Sequence, residues 1–369
     1  MKTLADLMYS QRVIVSCGAG GVGKTTTAAA LALRAAKEGR RTLALTIDPS
    51  KRLAQALGVS MESAAPVVPL GLRALAGKDV PLDVWLLDPR AVAERVIRQI
   101  VPDAKAQRAL FDNRVYRELA TMTAGMVEYT ALEALDDFVA SNRYDLIVLD
   151  TPPSRHALEV LDGPRRLAAF LDSKIFQLFL PPHGTSSSLR AGASRVLRSV
   201  LGAALGEAEH LELQQFFGAF AGVLRACGTH TARLEALLSD RAKVSFVLVT
   251  APAPSAIDEA RFFERQLAAK YMHCGGLVVM RCDTKPGPRA ATAEELFALG
   301  PELASALSAA AIGEKTRRDD HTALLLELRK QLDPAAFLTA VPSMGGGIDT
   351  LEDLDRVGSF LVDSAHAAP

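Results

Sequence analysis

Val13-Ile14-Val15-Ser16-Cys17-Gly18-Ala19-Gly20-Gly21-Val22-Gly23-Lys24-Thr25-Thr26 passes from a β-branched apolar run, through a glycine-rich turn, into an alanine-rich segment of helical character. Gly18, Gly23, Lys24 and Thr25 fit the spacing G-x-x-x-x-G-K-[ST], and the flanking strand and helix supply the context that gives the pattern meaning. Each residue type has a physical task. Glycines admit positive φ and let the backbone come close to phosphate oxygens, so the stretch Gly18, Gly20, Gly21, Val22, Gly23 can wrap a polyphosphate in successive N–H groups, aided by the helix N-terminal dipole. Lys24 is placed to neutralise β and γ oxygens, and the Thr25 hydroxyl to ligate a magnesium ion, with Thr26 completing the binding segment. A flexible glycine turn before a solvated lysine is the bland alternative, and both flanks argue against it.

The surrounding pattern extends the unit. Residues 25–37 read as a helix ending at Gly39, and residues 41–47 form a second apolar strand running into Asp48-Pro49, which makes a β-α-β unit. Further apolar runs at residues 146–149, 244–249 and 277–280 are near-continuous rather than alternating, as expected of parallel strands covered on both faces. The expected fold class is therefore α/β: a P-loop NTPase with a mostly parallel β-sheet flanked by helices, forming a single domain over residues 1–369, with helical insertions on the rim. One helical segment, residues 89–142, includes Tyr116, Met122, Met126, Tyr129 and Leu132. The other, residues 164–240, holds an apolar run at 175–180, a loop at 181–188 and a stripe at Leu213, Phe217, Phe220 and Leu224. Both are candidate client or partner surfaces, although such a stripe also suits ordinary helix packing.

Composition narrows the partners. The 369 residues are 49% hydrophobic and 23% charged, enough to bury one large core or two modest ones, and the 42 Lys+Arg balance the 42 Asp+Glu. That balance gives no bulk electrostatic reason to expect nucleic acid or an anionic membrane. Residues 1–11 lack the apolar core of a signal peptide, and no run of about eighteen apolar residues occurs, so a cytoplasmic location without stable membrane insertion is expected. Cys17, Cys227, Cys274 and Cys282 form no C-x-x-C pair and read as buried free thiols.

Two carboxylates at strand ends complete the chemistry. Asp150 closes the run Leu146-Ile147-Val148-Leu149, where a Walker B aspartate would hold magnesium directly or through water; capping the next helix is the alternative. Asp48, in Thr46-Ile47-Asp48-Pro49, stands where it would orient a water toward the γ-phosphate; a turn aspartate before proline is the alternative.

Taken together, Gly18-Ala19-Gly20-Gly21-Val22-Gly23-Lys24-Thr25, Ile47-Asp48-Pro49 and Asp150-Thr151-Pro152-Pro153-Ser154-Arg155-His156-Ala157-Leu158 resemble, in order and separation, the phosphate loop and two switches of the deviant-P-loop ATPases of the arsenite-pump and tail-anchored-protein-targeting group. The resemblance extends weakly over most of the chain, including Thr250-Ala251-Pro252 after a strand. It implies ATP and Mg2+ as cofactors, Asp48 as the water-positioning residue of the first switch, Asp150 in the second, and a dimer opened or closed by hydrolysis.

Three departures stand out. The family's signature lysine, which reaches the partner's phosphates, is Ala19, unless Lys51, Arg52 or Arg155 fills its role. The adenine-reading asparagine is Met280, followed by Arg281. Neither the zinc C-x-x-C of the eukaryotic branch nor a cysteine between Cys17 and Cys227 for a metalloid site is present. The expected function is a dimeric Mg-dependent ATPase, a homodimer or a heterodimer with a paralogous ATPase, that couples nucleotide state to binding of an unidentified protein or hydrophobic client. A slow or inactive nucleotide-binding regulatory subunit is the alternative that Ala19 favours. A septum-placement or partition-type ATPase is a third, for which the short acidic stretch at residues 354–363 offers no basic amphipathic tail.

Overall fold

The computed structural model describes residues 3–46, 79–87, 103–113, 126–151, 233–284 and 300–363, with isolated positions between them. The chain divides into two compact units, Met1–Leu86 with Ser141–Ala157 and Ser239–Pro369, and Leu87–Ala140 with Leu158–Leu238.

The first unit holds a seven-stranded sheet. Its strands are β1 (Val13–Gly18), β2 (Thr42–Thr46), β3 (Leu82–Leu86), β4 (Leu146–Asp150), β5 (Val244–Thr250), β6 (Cys274–Met280) and β7 (Phe337–Val341). Their order is β3-β2-β4-β1-β5-β6-β7, and every pairing is parallel. β1, β2, β4, β5 and β7 are buried at every position, the physical counterpart of their near-continuous apolar runs. The helices are α1 (Leu4–Ser10), α2 (Lys24–Lys37), α3 (Ala104–Asp112), α4 (Met126–Ala140), α5 (Pro254–Ala269), α6 (Pro301–Gln331) and α7 (Leu351–Val362). The α/β class with a mostly parallel sheet expected from the sequence is therefore present: the seven strands pair in parallel, and one isolated antiparallel bridge joins Val67 to Val84 of β3.

β3 and β7 were not among the expected strands. They are the two edges of the sheet. β3 carries Asp83 within its five residues and β7 carries Thr339 at its centre, so neither is a continuous apolar run along its length.

The residues from 28 to 36 in α2 are almost all alanine or leucine and are buried except Arg34, so small side chains let this helix lie close to β2 and β4. Its other neighbour is α7. The short acidic stretch at residues 354–363 belongs to a packed helix: Thr350 caps it through the Asp353 N–H at 3.2 Å, and Leu354, Val357 and Leu361 are buried. Its acids meet α2, with Lys37 on Asp355 at 2.7 Å and Arg34 on Asp363 at 2.9 Å. In α6, 31 residues long, only His321, Leu325 and Leu328 are buried.

In the second unit, α4 buries Ala131, Leu132, Ala134 and Leu135 completely, so Leu132, read as part of a candidate partner surface, belongs to the packing of this unit. Arg233 pairs with Asp136 at 3.0 Å. Tyr116, Met122, the apolar run at 175–180 and the stripe from Leu213 to Leu224 lie outside the described residues, as does Cys227.

Candidate functional site

β1 is the centre of the sheet, with β4 on one side and β5 on the other, and the chain leaves its carboxyl end for α2. In open parallel sheets this reversal of strand order leaves a crevice where ligands bind. Gly18, the last residue of β1, is demanded by its neighbour: a Cβ there would lie 2.0 Å from the Val249 carbonyl oxygen of β5. Gly23, at φ 105°, is the N-cap of α2 and takes a left-handed conformation that favours glycine. Between them Gly20 and Gly21 are exposed, Ala19 and Val22 are buried, and Thr25 and Thr26 are half-buried on the first turn of α2.

Lys24 opens α2 and is 6% exposed, and its Nζ donates to the Ala19 carbonyl at 2.7 Å, folding the side chain back over the loop. The Ser16 hydroxyl of β1 donates to the Lys24 carbonyl at 3.3 Å, tying the strand end to the helix start.

Sheet register assembles the acidic side of the site. Asp150 pairs with Thr46 on one side and Ser16 on the other, so β2 and β4 end at one level beside Ser16 of β1. Asp150 is buried, and its Oδ2 accepts hydrogen bonds from Thr25 Oγ1 at 2.8 Å and Thr46 Oγ1 at 3.1 Å. A threonine hydroxyl beside a carboxylate, at the mouth of a glycine loop with a lysine across it, is a hard-oxygen donor set that fits magnesium with phosphate oxygens and waters in the remaining positions. Behind it, Thr151 donates through Oγ1 to the Ser16 carbonyl at 2.8 Å and to Cys17 Sγ at 3.8 Å. Burial pushes the Cys17 thiol up to about 12, so it stays protonated and unreactive at neutral pH.

The far wall is the end of β6. Met280 is buried against Gly23, and the exposed Arg281 donates through Nη2 to the Gly21 carbonyl at 3.2 Å. The position read as base-recognising is thus occupied by a side chain packed on the phosphate loop.

Gly18, Gly20, Gly21, Val22, Gly23, Lys24, Thr25, Thr26 and Asp150 all lie at one end of the sheet, within the first unit. Asp48 lies outside the described residues, as do the second-switch positions from 152 to 158 and the alternative cations Lys51 and Arg52. Sequence reasoning passed over Thr46 and Arg281. Thr46 carried a usable signal, a hydroxyl at the end of an otherwise apolar strand; Arg281 carried none, because its contact spans 260 positions. No described helix is long and apolar enough to cross a membrane.

A family model described as an anion-transporting ATPase matches residues 11–282. An uncharacterised protein of Streptomyces coelicolor is 32% identical over 272 residues, covering 73% of this chain and 62% of its own length. A Cryptosporidium parvum protein named ATPase ASNA1 homolog is 28% identical over 279 residues, covering 76% of this chain and 67% of its own length. The arsenical pump-driving ATPase of Escherichia coli is 30% identical over 165 residues, 42% of this chain and 26% of that protein. The match to the Streptomyces protein thus falls short of two thirds of its length, and the match to the Escherichia protein is far shorter.

Proposed function

The chain belongs to the anion-transporting ATPase family, and from that premise we propose that it binds and hydrolyses ATP with magnesium, as a dimer, and couples nucleotide state to binding of a protein or hydrophobic client. The observation that carries the nucleotide reading is the Thr25–Asp150 contact of 2.8 Å at the mouth of the loop that Lys24 crosses. Loop N–H groups and the start of α2 receive the phosphates, and Lys24 exchanges the Ala19 carbonyl for phosphate oxygens, a small movement for a flexible side chain. Thr25 and Asp150 hold magnesium, and Thr46 orients Asp150. Magnesium bound there supplies positive charge to the β and γ oxygens. Asp48 orients the attacking water, so its effect falls on the chemical step.

Calorimetry with MgATP tests the reading. Wild type binds, and Lys24→Ala loses tight binding because a compact cation goes while the backbone remains. Unchanged affinity in Lys24→Ala would overturn the loop assignment. Asp48→Asn retains affinity and loses turnover; equal losses in both would make Asp48 structural.

Ala19 supports a second reading, a slow regulatory subunit that completes its site with a paralogous partner. The residue offers no cation, and its carbonyl is engaged by Lys24. Single-turnover hydrolysis by the chain alone separates the two readings.

A further inference from the structure

The last residue of β6 and the one after it both meet the phosphate loop, at its two ends. A Cβ on Gly23 would come 3.1 Å from Met280 Cγ, so Met280 packs on the inner end where α2 begins. Arg281 reaches the outer end, 3.2 Å from the Gly21 carbonyl. Arg281 has φ 57°, a left-handed conformation that is uncommon for a residue with a side chain and persists only where the surrounding structure enforces it. Gly21 is exposed, and among the described residues nothing lies within 4 Å of the place its Cβ would take.

We propose that Arg281 is a positioning residue that braces the phosphate loop through the Gly21 carbonyl. The physical link is the peptide plane. In a trans peptide the Gly21 C=O and the Val22 N–H belong to one rigid unit and point in opposite directions. Holding the carbonyl on the guanidinium therefore sets the direction of the Val22 N–H, one of the donors offered to phosphate. Met280 locks the helix end of the same loop by packing, and Arg281 locks the free end by a charge-assisted hydrogen bond. The brace acts before nucleotide arrives, and its effect falls on the phosphates shared by ATP and ADP. This inference rests on the nucleotide reading for its consequence but not for the contact itself.

Two variants isolate the side chain. Arg281→Gly keeps the positive φ without strain and removes the guanidinium, and Arg281→Lys keeps a charge without the fork. The Kd values of both MgATP and MgADP rise about five- to tenfold in Arg281→Gly, the range for losing one typical intramolecular hydrogen bond. Turnover at saturating ATP stays within about twofold, since ground-state positioning is what is lost, and Arg281→Lys recovers part of the affinity. Unchanged affinity for both nucleotides overturns the proposal. So does weakening confined to ATP, or a fall in turnover with affinity intact, because either would place Arg281 on the transferred phosphate instead. In nucleotide-free protein, 15N relaxation of the Gly21 and Val22 amides shows increased mobility in Arg281→Gly, and unchanged order parameters overturn the brace whatever the binding data. If wild type binds neither nucleotide while the variant loosens the loop, the ATPase reading fails and the brace stands.

Discussion

Gly18 has no room for a β-carbon, and that single constraint shows how tightly the phosphate loop is built into the sheet. With the Val249 carbonyl 2.0 Å from the missing atom, Gly18→Ala must push β5 away from β1. It costs about 3 kcal/mol, measured as a lowered denaturation midpoint, whereas at exposed Gly21, φ 72°, a substitution meets backbone strain rather than a clash with the described residues. Asp145 provides a pH-dependent counterpart. Arg41 donates to it from Nη2 at 2.6 Å, Nε at 3.1 Å and its backbone N–H at 3.0 Å, joining the entrances of β2 and β4. These hydrogen bonds hold the carboxyl at about 2, below its ordinary 3.8. A depressed folded-state value means stability that is present above the ordinary value and lost as pH falls through the folded one. Acid titration of stability should therefore show a loss between about pH 4 and pH 2 in wild type that Asp145→Asn lacks. The pair is solvent-exposed, so the difference is small and shrinks with added salt. An identical acid profile in the variant would show that the pair contributes nothing.

Among the elements, α2 and α7 carry the clearest lesson about what local pattern conveys. The alanines of α2, legible in the sequence as an alanine-rich helix, let α7 approach so closely that Gly358 sits 3.1 Å, at its notional Cβ, from the Ala30 carbonyl. Gly358→Leu therefore forces the helices apart and destabilises by about 1–3 kcal/mol, read as a lowered Tm. A variant as stable as wild type would mean that α7 shifts without penalty. Asp355 and Asp363 pair with Lys37 and Arg34, which lie more than 300 positions away, so nothing in the local sequence points to these contacts. β3 and β7 escaped notice for a related reason. A five-residue stretch becomes a strand only when another strand offers it hydrogen bonds, and those partners, β2 and β6, are distant in the chain.

For the whole molecule, the question is whether one chain supplies a complete site. If the trans charge absent at Ala19 limits hydrolysis, Ala19→Lys raises steady-state turnover of the chain alone, with an arginine-finger-like gain of about 1,000-fold or more as the ceiling and much less where the geometry is imperfect. Brisk wild-type turnover with no gain in the variant would remove the main reason to expect a heteromeric partner. The phosphate loop was legible by sequence alone because its requirements are local: glycine φ, a cation and a hydroxyl at fixed offsets, and a strand and helix on either side. The buried parallel strands were legible for the same reason, since continuous apolar runs are what two covered faces demand. Only the tertiary structure decided that Thr46, Thr25 and Asp150 share one oxygen, because that depends on the register of strands separated by a hundred residues. Only it decided that Met280 and Arg281 turn toward the phosphate loop. A residue's neighbours along the chain set its conformation, but which distant surface it meets is settled when the sheet chooses its strand order, and that choice is made by the burial of all seven strands together.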